Sequence, residues 1–141
     1  MQLKNIMTKD VSTISPDSTI NEAAQLMKEL DVGSIPVCKG TKPLGIITDR
    51  DITLRNVAEG EDPNNTVKEI MTDDLVYGSP DMSVDEAAKI MADNKIRRLP
   101  IVENDNLIGI ISLGDIAVES TADVEIGETL SSISVPSKPQ K

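Results

Sequence analysis

The sequence lacks several of the side chains on which enzyme catalysis and metal binding most often depend. Its 141 residues include no histidine, tryptophan or phenylalanine, one tyrosine (Tyr77) and one cysteine (Cys38). Without histidine there is no Ser-His-Asp or Cys-His activation and no imidazole ligand. A single thiol forms neither a disulfide within the chain nor a thiolate zinc site. These absences favour a binding protein over an enzyme, with no catalytic residues and no metal site expected.

Positive charge and long apolar runs are also scarce. Lys and Arg number 14 against 24 Asp and Glu, which gives a formal net charge of −10. Such acidity disfavours nucleic acid and anionic membranes as partners. No stretch approaches the roughly 18 apolar residues of a membrane span, and the first ten residues lack the apolar run of a signal peptide. With one free thiol, a cytoplasmic protein is expected.

What the sequence does contain is an internal repeat. When the chain is shifted by 64 positions, residues 3–52 align with residues 67–116 without a gap, and 18 of these 50 positions are identical. Unrelated segments would match at roughly one position in fifteen to twenty. The identities include Ile-Met-Thr, Ser-Pro-Asp, Glu-Ala-Ala and Gly-Ile-Ile, each present in both copies. The chain therefore carries a duplicated unit.

Each repeat is expected to fold as β-α-β-β-α. Val11–Ile14 is a short β-rich run, and it is followed by a capping box, Thr19 to Glu22, with apolar residues at helical spacing behind it. Two further apolar runs joined by a short loop predict a hairpin. A second helix is expected near Thr48, ending at Gly60, and near Ser112 in the second copy. The predicted domains are 1–60 and 61–120, followed by a partly disordered C-terminal tail, 121–141, with little fixed structure from about Ser131.

The predicted three-stranded sheets would each leave one apolar face uncovered. Runs such as Ile108–Ile111 are too hydrophobic for a face left in water. Two repeats can cover each other about a pseudo-twofold axis, so an α/β (α+β) fold with one joint domain is expected. The clefts of such a pair are where a ligand would lie.

Two matched strand-to-helix corners carry the most suggestive polar residues. The first corner is 45–51 and the second is 109–115, and each has a hydroxyl residue three positions before an aspartate. On one interpretation Thr48 with Asp51, and Ser112 with Asp115, only cap their helices. On the other, the hydroxyl helps to hold a phosphate and the carboxylate accepts the hydroxyls of a ribose. Spacing alone favours the capping interpretation by roughly two to one.

Together these motifs resemble the cystathionine β-synthase (CBS) domain. The frame Ile-Met-Thr, Ser-Pro-Asp, Glu-Ala-Ala-x-x-Met, Ile-Pro-Val or Leu-Pro-Ile, and Gly-Ile-Ile-Thr-Asp-Arg-Asp covers about residues 3–120, as two tandem copies. The resemblance implies a CBS pair, or Bateman module, whose clefts often bind adenine nucleotides or related adenosyl ligands. It also implies a homodimer. Carried over, the ribose and phosphate contacts fall on Thr48 and Asp51 and on Ser112 and Asp115.

Four arginines add to this expectation, because an anionic ligand needs local positive charge in so acidic a chain. Arg50 and Arg55 lie in or just after the first corner, whereas Arg97 and Arg98 precede the Leu-Pro-Ile strand. The alternative is that Arg97 and Arg98 are solvated residues at a strand start that pair with neighbouring acids. With the resemblance, Arg98 is favoured for a phosphate role over Arg97 and Arg50. The first repeat has Gly and Ser where the second has Arg97-Arg98, so the two clefts should differ. The resemblance also implies that two strands and the ends of the first strands flank the base of the ligand. The full set of candidate ligand-binding residues is Thr13, Ile35, Pro36, Val37, Thr48, Arg50, Asp51, Tyr77, Arg97, Arg98, Leu99, Pro100, Ile101, Ser112 and Asp115.

The sequence thus predicts a non-catalytic regulatory or sensor module that binds AMP, ADP, ATP or S-adenosylmethionine, with no catalytic cofactor, and acts on a regulated protein. The alternative is a structural or protein-interaction module whose corners are only caps. An enzyme that uses carboxylates and a divalent metal is a weaker third candidate. Cys38 and the helical methionines Met27 and Met91 are expected in the core, whereas Tyr77 is either a partner for a purine or a half-buried strand residue.

Overall fold

The computed structural model describes residues 1–119 and Ile133. The tail predicted over 121–141 therefore lies, except for Ile133, outside the described residues. The chain forms two compact units. The first-repeat unit comprises Ser12–Leu75 and Asp105–Leu107, and the second-repeat unit comprises Met1–Val11, Val76–Asn104 and, of the described residues, those from Ile108 to Glu119 and Ile133. No helix within the described residues is long and apolar enough to cross a membrane.

The first-repeat unit follows the predicted order of helices and hairpin. Its regular elements are α1 (Ile20–Leu30), β1 (Ser34–Lys39), β2 (Lys42–Thr48), α2 (Asp49–Ile52), a π-helical segment (Thr53–Val57) and a 3-10 turn (Val67–Glu69). The capping box at the start of α1 is confirmed: Thr19 Oγ1 accepts from Glu22 N at 3.1 Å, and Glu22 Oε1 accepts from Thr19 N at 3.5 Å. Ile20, Ala23 and Met27 form the buried face of the helix. The capping box therefore predicted the start of α1, and the spacing of its apolar residues predicted the buried face.

The hairpin of this unit is antiparallel, with Ser34 opposite Thr48 and Val37 opposite Gly45. The strand predicted over Val11–Ile14 is reduced to one parallel bridge, between Ile14 and Val37. The prediction of a full third strand was therefore wrong. The opposite edge of the hairpin is closed by a second isolated bridge, from Ile46 to Thr72.

The helix predicted to run from Thr48 to about Glu59 changes its form after one turn. It is α-helical over Asp49–Ile52 and π-helical over Thr53–Val57, and Gly60 then takes a positive φ of 67°. Asn56, only 1% exposed, lies in the π segment and donates from Nδ2 to Asp62 O at 3.1 Å. The wider π turn brings this amide inside, where its side chain ties the helix end to the following turn.

The second-repeat unit has matching elements. They are a 3-10 turn (Leu3–Asn5), α3 (Val84–Asn94), β3 (Arg98–Glu103), β4 (Asn106–Ser112) and α4 (Leu113–Val118). Asn104 and Asp105 both take positive φ at the predicted hairpin turn. The parallel bridge recurs as Gly78 to Ile101. Its core includes Met91, Leu99 and Ile116, all fully buried, so aliphatic side chains replace the missing aromatics.

The segment that leads into each repeat packs in the unit of the other repeat. Thr8, before the first repeat's helices, bridges to Ile110 of β4, and Thr72, before the second repeat's helices, bridges to Ile46 of β2. Leu3 belongs accordingly to the core of the second-repeat unit. A Cβ on Gly45 would collide with the carbonyl oxygen of Thr72, and one on Gly109 would lie 3.1 Å from that of Thr8. These glycines let the leading segments cross close to the strands.

Candidate functional site

The first corner is a reciprocal cap at the end of β2. Thr48 Oγ1 accepts from Asp51 N at 3.0 Å, and Asp51 Oδ2 accepts from Thr48 N at 3.0 Å. The sequence spacing predicted this arrangement, with aspartate in place of the usual glutamate. Asp51 is 8% exposed, so its carboxylate is held inside the corner. The capping interpretation of this pair is thereby confirmed.

The second oxygen of Asp51 faces an arginine. Arg55 Nη1 lies 3.7 Å from Asp51 Oδ1 and donates to the carbonyl oxygen of Ile70 at 2.9 Å. The guanidinium thus connects the first corner to the chain just after the 3-10 turn Val67–Glu69. Since the arginine is about half exposed, the ion pair adds little stability. Its effect is to place one fixed positive charge beside the buried carboxylate.

The second corner repeats the cap with Ser112 and Asp115. Ser112 Oγ accepts from Asp115 N at 3.0 Å, and Asp115 Oδ2 accepts from Ser112 N at 2.8 Å. The position equivalent to Arg55 is Glu119, so α4 brings no cation to this carboxylate. The two corners share their caps and differ in the charges around them.

The start of each hairpin is tied directly to the corner. Arg97 O accepts from Leu113 N at 2.8 Å, and Gly33 O accepts from Asp49 N at 2.9 Å. That backbone bond places Arg97, and Arg98 after it at the start of β3, next to the second corner; Arg97 is exposed and Arg98 is partly buried. A Cβ on Gly33 would come within 3.1 Å of the Asp49 carboxylate. At the strand start, arginines therefore border the second corner, whereas Gly33 and Ser34 border the first, whose arginines, Arg50 and Arg55, come from the helical side.

The caps do not exhaust the hydrogen-bonding capacity of either corner. Each hydroxyl accepts one bond and keeps its proton, which it can donate to a ligand. Each carboxylate spends one oxygen on the cap and keeps the other, which can accept from a ribose hydroxyl. A corner that caps a helix is consequently still equipped to bind a diol, so the two interpretations of the sequence are compatible.

The strand residues expected to flank a base are placed less favourably. The side chains of Ile35 and Val37 lie in the core of the first-repeat unit, and Leu99 and Ile101 in that of the second. Pro36 and Pro100 are buried as well, and each offers its carbonyl oxygen to the preceding segment. Thr13, Tyr77 and Arg50 are exposed, with Tyr77 55% accessible. Among these candidates, the exposed side chains are the ones free to meet a ligand.

Sequence reasoning did not select two residues that the structure brings to the first corner. Ser34 faces Thr48 across the hairpin, and its Oγ is the one fully enclosed side-chain polar atom without a hydrogen-bond partner in the described part of the chain. Leaving a buried hydroxyl unpaired costs about 1–3 kcal/mol. Arg55 is the other residue. Two sequence signals could have identified them: Ser34 aligns with Arg98 in the repeat, and Arg55 follows Asp51 at i,i+4 spacing.

Cys38 lies in the core of the first-repeat unit and not at a corner. Cys38 is 4% exposed in β1, and burial raises the pKa of its thiol. It is therefore the core residue that was predicted, and Met27 and Met91 are buried as expected. Over residues 1–119 and Ile133, no three His, Cys, Asp or Glu side chains are grouped so as to hold a metal ion.

Comparison with known proteins finds one family that matches both repeats, including both corners. The CBS domain family matches the chain twice, over residues 3–56 and 67–120. The "CBS domain-containing protein YhcV" of Bacillus subtilis is 48% identical over 132 residues, which cover 94% of each chain.

Solved structures agree with this match. The "Hypoxic Response Protein I (HRPI) with two coordinated zinc ions" has a TM-score of 0.78 and 32% identity, covering 84% of this chain and 98% of its own. The "CBS domain pair of protein MJ0100 in complex with 5-methylthioadenosine and S-adenosyl-L-methionine" has a TM-score of 0.76 and 27% identity, covering 86% and 97%. With both repeats matched and the fold shared, this chain belongs to the CBS domain family and carries two CBS domains in tandem.

Proposed function

We propose that the protein is a non-catalytic regulatory module whose corners bind an adenosine-containing ligand, either an adenine nucleotide (AMP, ADP or ATP) or S-adenosylmethionine. The observation that carries this proposal is the pair of matched caps, Thr48 with Asp51 and Ser112 with Asp115. In each, the hydroxyl proton and the second carboxylate oxygen are not used by the cap, and that oxygen can accept from a ribose hydroxyl, at Asp51 beside the Arg55 guanidinium. The related CBS pair whose structure contains two adenosyl ligands supports the choice of ligand class.

The arginines support a phosphate group on at least one ligand. Arg97 and Arg98 have no ion pair within the described residues, so their guanidinium groups are free to bind an anion beside the second corner. Arg50 offers a further exposed guanidinium at the first corner. Four arginines in a chain of net charge −10 are enough to attract a small phosphate while large polyanions are repelled.

Regulation would follow from differential affinity. A ligand that binds one conformation of the module more tightly shifts the population toward it, and a regulated protein that contacts the module senses the shift. We place this module in the cytoplasm, as a homodimer. Neither nucleic acid nor membrane is a proposed partner.

A structural or interaction module without a nucleotide is the second candidate. It is favoured by the fact that both carboxylates already have a local use as helix caps. The corners would then be retained for stability alone, and the adjacent arginines would be solvated surface residues.

Mass spectrometry of small molecules released from the purified protein tests the proposal directly. An adenosyl compound is expected, and in its presence at 100 times the dissociation constant the protein should be stabilised by about 2.7 kcal/mol. Thermal shifts with AMP, ADP, ATP and S-adenosylmethionine extend the test. No released ligand and no shift with any of the four would support the interaction module instead.

A matched pair of cap variants separates binding from capping. Asp115→Ala removes the bond from Ser112 N to Asp115 Oδ2 and the proposed ribose contact together, whereas Glu22→Ala removes the equivalent bond from Thr19 N in the cap of α1, which belongs to neither corner. Each should cost about 0.3–1.5 kcal/mol of stability. The proposal predicts that only Asp115→Ala also weakens ligand binding. If both variants bind the ligand with equal affinity, Asp115 has only a structural role.

A further inference from the structure

The carboxylate oxygen that the first cap leaves unused has a guanidinium beside it. Asp51 Oδ2 accepts the cap bond from Thr48 N, whereas Asp51 Oδ1 lies 3.7 Å from Arg55 Nη1. The arginine side chain is about half exposed, while the aspartate is buried. A ribose hydroxyl that approaches Asp51 Oδ1 from solvent therefore has to compete with the guanidinium for this oxygen.

The guanidinium is anchored at this position by the backbone of the leading segment. Arg55 Nη1 donates to Ile70 O at 2.9 Å. That carbonyl is itself held in place, because Thr72, two residues on, exchanges two backbone bonds of 2.9 Å with Ile46 of β2. The same nitrogen makes both contacts of the arginine, so a guanidinium that moves away from Asp51 gives up Ile70 O as well.

The second corner has neither the arginine nor the same degree of burial. Glu119 occupies the position equivalent to Arg55, and α4 carries no basic residue. Asp115 is only partly buried, although it exchanges the same two cap bonds with Ser112. Comparison of the two corners therefore associates the burial of the carboxylate with the arginine and not with the cap.

We propose that Arg55 is a gate on the first corner, whose guanidinium has to leave Asp51 before a ribose can bind there. Binding then breaks the bond from Arg55 to Ile70 O, and the loss of one hydrogen bond lowers the affinity of this corner about three- to tenfold. The second corner carries no such cost. This inference rests on the proposed adenosyl function and adds to it a positioning residue, which acts on Asp51 and not on the ligand.

Titration calorimetry with adenosine tests the gate, because this probe has the ribose hydroxyls but no phosphate for an arginine to bind. Asp115→Ala is the background, so that only the first corner keeps its carboxylate. In this background Arg55→Met should bind adenosine about three- to tenfold more tightly. Lys68→Met is the matched control, since it also removes one positive charge and one exposed ion pair, with Asp17, from the first-repeat unit. It should change the affinity by less than about twofold.

The carbonyl of Ile70 provides a second measurement, which a purely structural arginine would not affect. In the Asp115→Ala background, saturating adenosine should move the NMR chemical shift of the Ile70 carbonyl carbon toward its value in unliganded Arg55→Met, because the same hydrogen bond is absent in both. Lys68→Met should show the same response to adenosine as the background protein. An Ile70 carbonyl shift that adenosine leaves unchanged would contradict the gate.

The outcomes separate the gate from the function on which it rests. If wild-type protein binds none of adenosine, AMP and S-adenosylmethionine, the adenosyl function is overturned and the gate with it. If wild type binds any of them but Arg55→Met in the Asp115→Ala background does not bind adenosine more tightly, the gate alone is overturned. Weaker binding of AMP by Arg55→Met, with adenosine unchanged, would identify Arg55 as a phosphate contact instead.

Discussion

Single residues at the two corners combine stability with spare binding capacity. Thr48 and Asp51 exchange two bonds of 3.0 Å and still leave one hydroxyl proton and one carboxylate oxygen for other use. Short polar side chains suit this double use because they reach their own backbone and project from it at the same time. Evolution of binding at such a site needs no loss of the cap.

Cys38 leads to a prediction about pH. Because burial raises the pKa of this thiol above its ordinary 9.0, the folded chain holds the proton more tightly than the unfolded chain. Its contribution to stability is complete below pH 9 and should be lost as the pH rises through the higher folded-state pKa. Urea denaturation from pH 7 to 10.5 should show a steeper loss of stability for wild type than for Cys38→Ala. Parallel curves for the two proteins would show that burial does not perturb the thiol.

At the scale of elements, the segments before each repeat's helices can pass close to a strand because that strand has a glycine at the crossing, Gly45 in β2 and Gly109 in β4. Gly45 meets backbone, the carbonyl oxygen of Thr72, whereas Gly109 meets chiefly the flexible side chain of Met7. A thioether can move to another rotamer, but a backbone carbonyl held by its bridge to Ile46 cannot. The two crossings therefore have similar geometry, but a side chain added at Gly109 is accommodated more easily than one added at Gly45.

This difference predicts unequal costs for the same substitution. Gly45→Ala should destabilise the protein by about 1–3 kcal/mol through overpacking against the Thr72 backbone, and Gly109→Ala should cost less. The comparison is internally controlled, because both replacements add one methyl group at equivalent strand positions. Chemical denaturation measures both, and a larger loss for Gly109→Ala would contradict the proposed role of the carbonyl.

Elements specified by nearby residues could be predicted from the sequence. The caps of α1, α2 and α4 and both hairpins follow from side chains within a few positions of each other. The isolated bridge at Ile14 could not, because it depends on Val37, which is distant in the sequence, and the π segment could not, because neither capping nor apolar spacing distinguishes a π turn from an α turn. Asp51 could be predicted as a capping residue from its spacing to Thr48. The enclosed hydroxyl of Ser34 could not, because its burial depends on residues that are distant in the sequence.

On the scale of the whole molecule, each half of the sequence completes the unit of the other. Leu3 is fully buried in the core of the second-repeat unit, and Leu3 N donates to Met82 O at 2.9 Å. Val67, 64 positions later, is fully buried in the core of the first-repeat unit. The duplication visible in the sequence is therefore also a reciprocal exchange of segments, which the repeat alone did not predict.

This exchange predicts a remote effect of a mutation near the N-terminus. Leu3→Ala should cost about 2–5 kcal/mol, because it leaves a cavity in the second-repeat core. Hydrogen exchange should accelerate in α3, β3 and β4 more than in α1 and β1. Lys4→Ala is the matched control, since its exposed ion pair with Asp81 contributes under about 1 kcal/mol. Faster exchange confined to α1 and β1 would contradict the exchange of segments.

The bridge between Thr8 and Ile110 also sets an order of events during synthesis. About a hundred residues separate the two partners, so at roughly 5–20 residues per second the first segment waits some 5 to 20 seconds on the ribosome before its partner strand exists. The continuous stretch Ser12–Leu75, which includes Thr72, can meanwhile assemble most of its own unit. Residues 1–11 thus pack long after they leave the ribosome, and a partner fused in front of them would act on the folding of the distant second repeat.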